Sequence, residues 1–136
     1  MRGRILPVLF SVIAATAVAQ APLNRPVPLA PPAPAVSPAE DALSIAAADR
    51  ALEMGFPTIA AGLYQTLLAA GAGDRGRLTL GLATAMLDDG RAAEAEQALQ
   101  AYAGNRGAAW HLRAALAAAQ LQKIPAARSE LAAIKA

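Results

Sequence analysis

The chain has 136 residues, with twelve Lys+Arg against ten Asp+Glu, a single histidine and no cysteine. That length allows one domain at most. The missing cysteine excludes disulfides, thiolate metal sites and a lipidated N-terminal cysteine, and one histidine excludes a His-rich metal site. Alanine dominates, aromatics make up only 4%, and β-branched runs are nearly absent beyond the N-terminus, so an all-α fold is expected.

The N-terminus is a separate object. Arg2 and Arg4 precede an apolar run from Ile5 to Ala19, broken by Pro7, Ser11 and Thr16 and ending in Ala17-Val18-Ala19 before Gln20. This is the plan of a secretory signal peptide over residues 1–19, cut after Ala19. The alternative is a retained anchor, although the run is short against the roughly twenty residues a bilayer requires. Both readings place the remainder outside the cytoplasm, in the periplasm or the extracellular space. Cleavage would leave no stable membrane span. Without Arg2 and Arg4 the chain has ten basic and ten acidic residues. The basic pI therefore belongs to the export signal, and no nucleic-acid partner is expected, because that needs a clustered basic face.

Residues 20–37 form a Pro/Ala-rich linker with prolines at 22, 26, 28, 31, 32 and 34. Pro38 follows at its end. Proline has no backbone donor, so neither helix nor sheet is supported. An extended, semi-rigid spacer is expected. Pro28-Leu29-Ala30-Pro31 also has the spacing of a proline-rich ligand, but the simpler reading is a stalk.

The helical domain begins with Ser37-Pro38-Ala39-Glu40. Ser37 is placed to cap a helix, Pro38 suits the first position, and Glu40 can reach back to close a capping box. The spacing predicts a first helix over 38–54, burying Leu43, Ala47, Ala51 and Met54. Gly55-Phe56-Pro57 turns the chain into a second helix over 58–70, with Ile59, Ala60, Leu63, Tyr64, Leu67 and Leu68 on its apolar stripe. Gly71-Ala72-Gly73 is a break, and Asp74 caps a third helix over 75–88 that buries Leu78, Leu82, Met86 and either Leu80 or Leu87. Gly90 is a turn. A fourth helix over 92–103 buries Ala95, Leu99 and Tyr102, with Glu94, Glu96 and Gln97 facing away. A fifth helix over 108–122 buries Trp110, Ala114, Ala117 and Leu121. A sixth helix over 125–136 carries Ala127, Leu131 and Ile134.

The hairpins repeat. Ala60-x3-Tyr64, Ala95-x3-Leu99 and Ala127-x3-Leu131 each place a small and a large residue on the second helix of a pair, at intervals of 35 and 32 residues. In the middle unit Leu82-Ala83, Met86, Gly90, Ala95 and Leu99 follow one another at the spacing of the tetratricopeptide repeat, and the domain over 38–136 resembles a short array of that family. The resemblance covers about residues 41–136. The first unit matches with Ala47-Ala48, Ala51, Gly55, Ala60 and Tyr64, and the third with Ala114-Ala115, Ala118, Gln122, Ala127 and Leu131. The family's leading tryptophan position holds Ser44, Thr79 and His111, with Trp110 one residue early.

The resemblance implies about three antiparallel helical hairpins that wind into an α-solenoid, with the first helix of each hairpin on a concave face. It points to Asp49, Glu53, Arg77, Thr84, Asp88 and Arg113 as partner-binding residues. The expected function is an exported protein–protein interaction module that presents this groove to a peptide or protein. The alternative is a structural subunit of an envelope assembly that stacks through its terminal helix, either on a partner or as a homo-oligomer. No enzyme is expected, and no catalytic, cofactor-binding or metal residues are assigned. His111 has no carboxylate or nucleophile at a fixed nearby spacing, and Asp88-Asp89 reads as a solvated helix end. Gly71-Ala72-Gly73-Asp74-Arg75-Gly76 lacks the preceding strand and following Lys-Ser/Thr of a phosphate loop. Trp110 is either a ligand anchor or core.

Overall fold

The computed structural model describes residues 37–134. The signal-peptide reading and nearly all of the linker lie outside the described residues. Six helices follow in order: α1 (Pro38–Glu53), α2 (Pro57–Ala70), α3 (Arg75–Asp88), α4 (Ala92–Ala101), α5 (Ala108–Gln120) and α6 (Ile124–Ile134). There is no strand among the described residues. None of these helices is long and apolar enough to cross a membrane.

The caps form as the sequence predicts. The Glu40 amide donates to the Ser37 hydroxyl at 3.4 Å, and the Ser37 amide donates to the Glu40 carboxylate at 3.0 Å. The two bonds satisfy free donors at the helix start. At α3 the Arg77 amide donates to Asp74 at 2.6 Å. The helices α4 and α5 end two residues before the bounds expected from periodicity.

The turns within the three helix pairs share one hydrogen-bonding scheme, which the α2–α3 connection at Gly71 also adopts. Gly55, Gly90 and Gln122 adopt positive φ angles of 78°, 74° and 60°. The next residue then donates back five positions: Phe56 to Ala51 at 2.8 Å, Arg91 to Met86 at 2.8 Å and Lys123 to Ala118 at 2.8 Å. This satisfies carbonyls that the helix end leaves free. Glycine suits the left-handed conformation, whereas a side chain at that angle costs roughly 1–2 kcal/mol. Gln122→Gly should therefore raise stability by about 0.5–1 kcal/mol once the extra backbone entropy of glycine is set against that relief. Urea unfolding checks this. A less stable variant would show that the glutamine side chain contributes more than the strain removes.

Each helix packs on the next, and α3 also packs on α5. The larger core cluster gathers Ala48, Ala60, Tyr64, Leu78, Leu82 and Met86 with their neighbours from α1 to α5. A second cluster joins Ala83 of α3, Leu99 of α4 and Trp110 of α5. Small residues line the closest contacts, with Ala48, Ala60, Ala95 and Ala117 all fully buried.

Several face assignments need correction. On α1, Leu43, Ala47 and Met54 are exposed, and the packed face is instead Ala48 with Ile45 and Leu52. α1 packs chiefly on α2 and meets α3 through the Arg77–Asp49 ion pair, and neither contact covers Leu43, which stays exposed. Ile59 is exposed on α2, and Leu131 and Ile134 are exposed on α6. Their positions follow the apolar period, but no further helix among the described residues covers them. Tyr102 is only half-buried. Glu96 is half-buried as well, because it accepts from Lys123 of the next turn at 2.7 Å.

Candidate functional site

A groove of about 620 Å³ opens along one side of α1, α3 and α5. Asp49 and Leu52 of α1 stand at one end. Arg77, Leu80 and Thr84 of α3 form the middle, and Ala109, Trp110 and Arg113 of α5 form the other end. The i, i+3 and i+4 spacing on α3 places Arg77, Leu80, Gly81 and Thr84 on one stripe. Four of the six residues expected on a binding face thus come together: Asp49, Arg77, Thr84 and Arg113. Glu53 is exposed and does not line the groove. Asp88 borders a separate, shallower depression with Leu112, Leu116 and Gln120. Both are the last residue of their helix.

The polar side chains of the groove are bonded to one another across the helices. Arg77 donates to Asp49 at 2.7 Å, and the Tyr64 hydroxyl donates to the other Asp49 oxygen at 2.5 Å. Arg113 donates through Nε to the Thr84 hydroxyl at 2.7 Å and through Nη1 to the Ala109 carbonyl at 3.0 Å. Arg77 thus has a carboxylate partner. Arg113 has none among the described residues, so its charge is not neutralised locally. The site joins an apolar floor to one guanidinium that remains available to an acidic or carbonyl group.

Tyr64 and Gly81 are groove residues that the sequence reading placed only in the core or not at all. Tyr64 is buried, yet its hydroxyl reaches the groove from α2. Gly81 makes this possible. A Cβ at Gly81 would lie 2.6 Å from the Tyr64 ring, well inside contact distance. The helix-interior glycine, unusual on propensity grounds, was the signal for a close approach.

Burial raises the Tyr64 pKa above the ordinary tyrosine range near 10, and donation to Asp49 and the Asp49 charge add to the rise, while Arg77 opposes it. The folded state therefore holds this proton more tightly than the unfolded chain. Its contribution to stability is complete below about pH 10 and is lost as the pH rises beyond that value. The difference in stability between the wild type and Tyr64→Phe should shrink as pH climbs above about 10. Parallel stability profiles for the two proteins over that range would contradict the burial of a protonated phenol.

Other candidate groups resolve into structural contacts. His111 Nδ1 meets Glu130 at 2.8 Å and so ties α5 to α6. No hydroxyl among the described residues bonds this histidine. Asp89 accepts from Thr58 of α2 at 2.9 Å. Among the described residues no group of three acidic or histidine side chains is placed to hold a metal ion. The glycine-rich segment at 71–76 comprises the α2–α3 connection and the first two residues of α3, and its Asp74 serves as a cap. Trp110 is buried and donates to the Leu99 carbonyl at 3.1 Å, with Arg106 stacked 4.5 Å above its ring. Comparison with protein-family models, curated proteins and solved structures found no match.

Proposed function

We infer that this chain is an exported, non-enzymatic interaction module of the tetratricopeptide type, which binds a peptide or a segment of a protein in the groove along α1, α3 and α5. The observation that carries this reading is the groove itself. Asp49, Arg77, Thr84 and Arg113 of the groove come from the first helix of each pair, where the tetratricopeptide resemblance places partner contacts. The three matching turns, 35 and 32 residues apart, support the repeat reading. So do the buried alanines at 60, 95 and 127, which hold one register position. The N-terminal sequence supports export.

Recognition would rest on shape, on the apolar floor of Leu52, Leu80 and Ala109, and on Arg113. A ligand that sets an acidic or carbonyl group against Arg113 makes a charge-assisted bond contributing about 1.5–3 kcal/mol, roughly a tenfold or greater gain in affinity. Random peptides displayed on phage and selected on the full chain provide the probe. Selected peptides should bind Arg113→Ala about tenfold or more weakly, while Glu53→Gln, outside the groove, should bind as the wild type does. Unchanged thermal unfolding of both variants keeps the comparison clean. Equal binding by wild type and Arg113→Ala would move the site elsewhere.

A further inference from the structure

We propose that the chain associates with a second copy of itself end to end, the α6 side of one copy receiving the α1 side of the next. This does not rest on peptide binding in the groove. The exposed large hydrophobic residues among those described fall in the first helix pair or the last, and α3 and α4 carry none. A middle pair covered on both sides and end pairs covered on one would give this distribution.

The shared turn geometry sets a register between the pairs, with Gly55, Gly90 and Gln122 as equivalent points. In that register Leu43, Leu78 and Trp110 hold one position. Leu78 is 1% exposed, and Trp110 is buried against Ala83 and Leu99 of the preceding pair. Leu43 is 72% exposed. Tyr64, Leu99 and Leu131 hold a second position. Leu99 is 1% exposed and its carbonyl accepts from Trp110 of the following pair, whereas Leu131 is 47% exposed. On the first helices Thr84 accepts from Arg113 of the following pair, and its register equivalent, Leu116, is exposed. The α1 side and the α5–α6 side are thus the two halves of a contact that the chain already makes twice internally.

The chemistry of the two ends selects a second copy as the occupant. Between the first and second pairs Thr58 donates to Asp89. The equivalents at the ends are Pro125 on α6 and Met54 at the close of α1, so a polar bond is replaced by an apolar contact on both sides at once. Apolar surface joined in this way drives association without directional bonds. Arg50 sets the strength. It stands where α3 and α5 carry the fully buried Ala85 and Ala117. Its stem can lie along the contact with the guanidinium at the rim, which leaves the copy–copy contact looser than the internal ones and reversible. Such a contact is heterologous, with different surfaces meeting, and does not close on itself as a dimer.

Sedimentation velocity of the full chain over a concentration series tests the proposal. The average mass of the wild type should rise with concentration. Leu43→Glu and Leu131→Glu should each be monomeric, because a carboxylate placed in an apolar contact loses its water. An equimolar mixture of the two should form dimers that grow no further, since each variant keeps the end the other lacks. Arg50→Ala should shift wild-type association to lower concentration. All of these sites are exposed, and circular dichroism of each variant confirms folding. If Leu43→Glu or Leu131→Glu loses helicity, the serine variants at the same positions take its place. A wild type monomeric throughout, association that survives in either single variant, or a mixture that fails to dimerise would each overturn it.

Discussion

Trp110→Ala should cost the domain about 3–5 kcal/mol, the usual range for removing a large aromatic from a core. Domains of this size are stable by roughly 5–15 kcal/mol in all, so the variant should lose much of its margin. The effect has three parts. The ring fills the small cluster with Ala83 and Leu99, which is where α5 meets α3 and α4. Its N–H satisfies the Leu99 carbonyl at 3.1 Å, near the end of α4. Its face carries the Arg106 guanidinium at 4.5 Å. Trp110→Phe keeps most of the ring and loses the hydrogen bond, so it should cost nearer 1 kcal/mol. Urea unfolding of the two variants separates cavity from hydrogen bond. A small loss in Trp110→Ala would mean that the residue is held for ligand contact rather than for packing.

Ala95→Leu should destabilise by about 1–3 kcal/mol through overpacking. Ala95 is fully buried and belongs to the cluster that holds Leu82, Met86 and Ala117. It shares its register position with Ala60 and Ala127, which are also buried. A methyl group at this position allows close helix approach, and three added carbons force the helices apart or the neighbours off their rotamers. The matched control is Gln97→Ala on the exposed face of the same helix, expected to stay within about 0.5 kcal/mol. Glu96 is a poor control because of its bond to Lys123. Equal thermal stabilities for Ala95→Leu and Gln97→Ala would refute the close contact.

The sequence made the helices and their caps legible because those features are local. Ser37 and Asp74 announce helix starts through hydrogen bonds that span three residues. Gly55 and Gly90 announce turns through a backbone angle that glycine adopts freely. The third turn is marked in the sequence by Lys123-Ile124-Pro125, but its left-handed residue was legible only by register, since Gln122 occupies a conformation its residue type does not favour. Buried faces were legible where a helix is covered on more than one side, as on α3. They were misread at α1 and α6. Periodicity reports which residues are suited to burial, not whether a neighbour covers them, and Leu43, Leu131 and Ile134 stay exposed among the described residues.

Of the expected groove residues, Asp49, Arg77, Thr84 and Arg113 converge because the first helices of the pairs lie side by side. Their mutual bonds were not legible, since Asp49 and Arg77 are 28 residues apart and Thr84 and Arg113 are 29 apart. Helix period alone could not tell that Glu53 and Asp88 point past the groove. Nor could it show that Tyr64 reaches the groove through the gap left at Gly81.

The most direct measurement is an amide chemical-shift map of the isotope-labelled full chain on addition of a peptide selected from the displayed library. Binding in the groove predicts the largest shifts on α1, α3 and α5 around Asp49, Arg77, Thr84 and Arg113, saturating with the peptide. Shifts confined to α2, α4 and α6, or a library from which no peptide is selected, would contradict it.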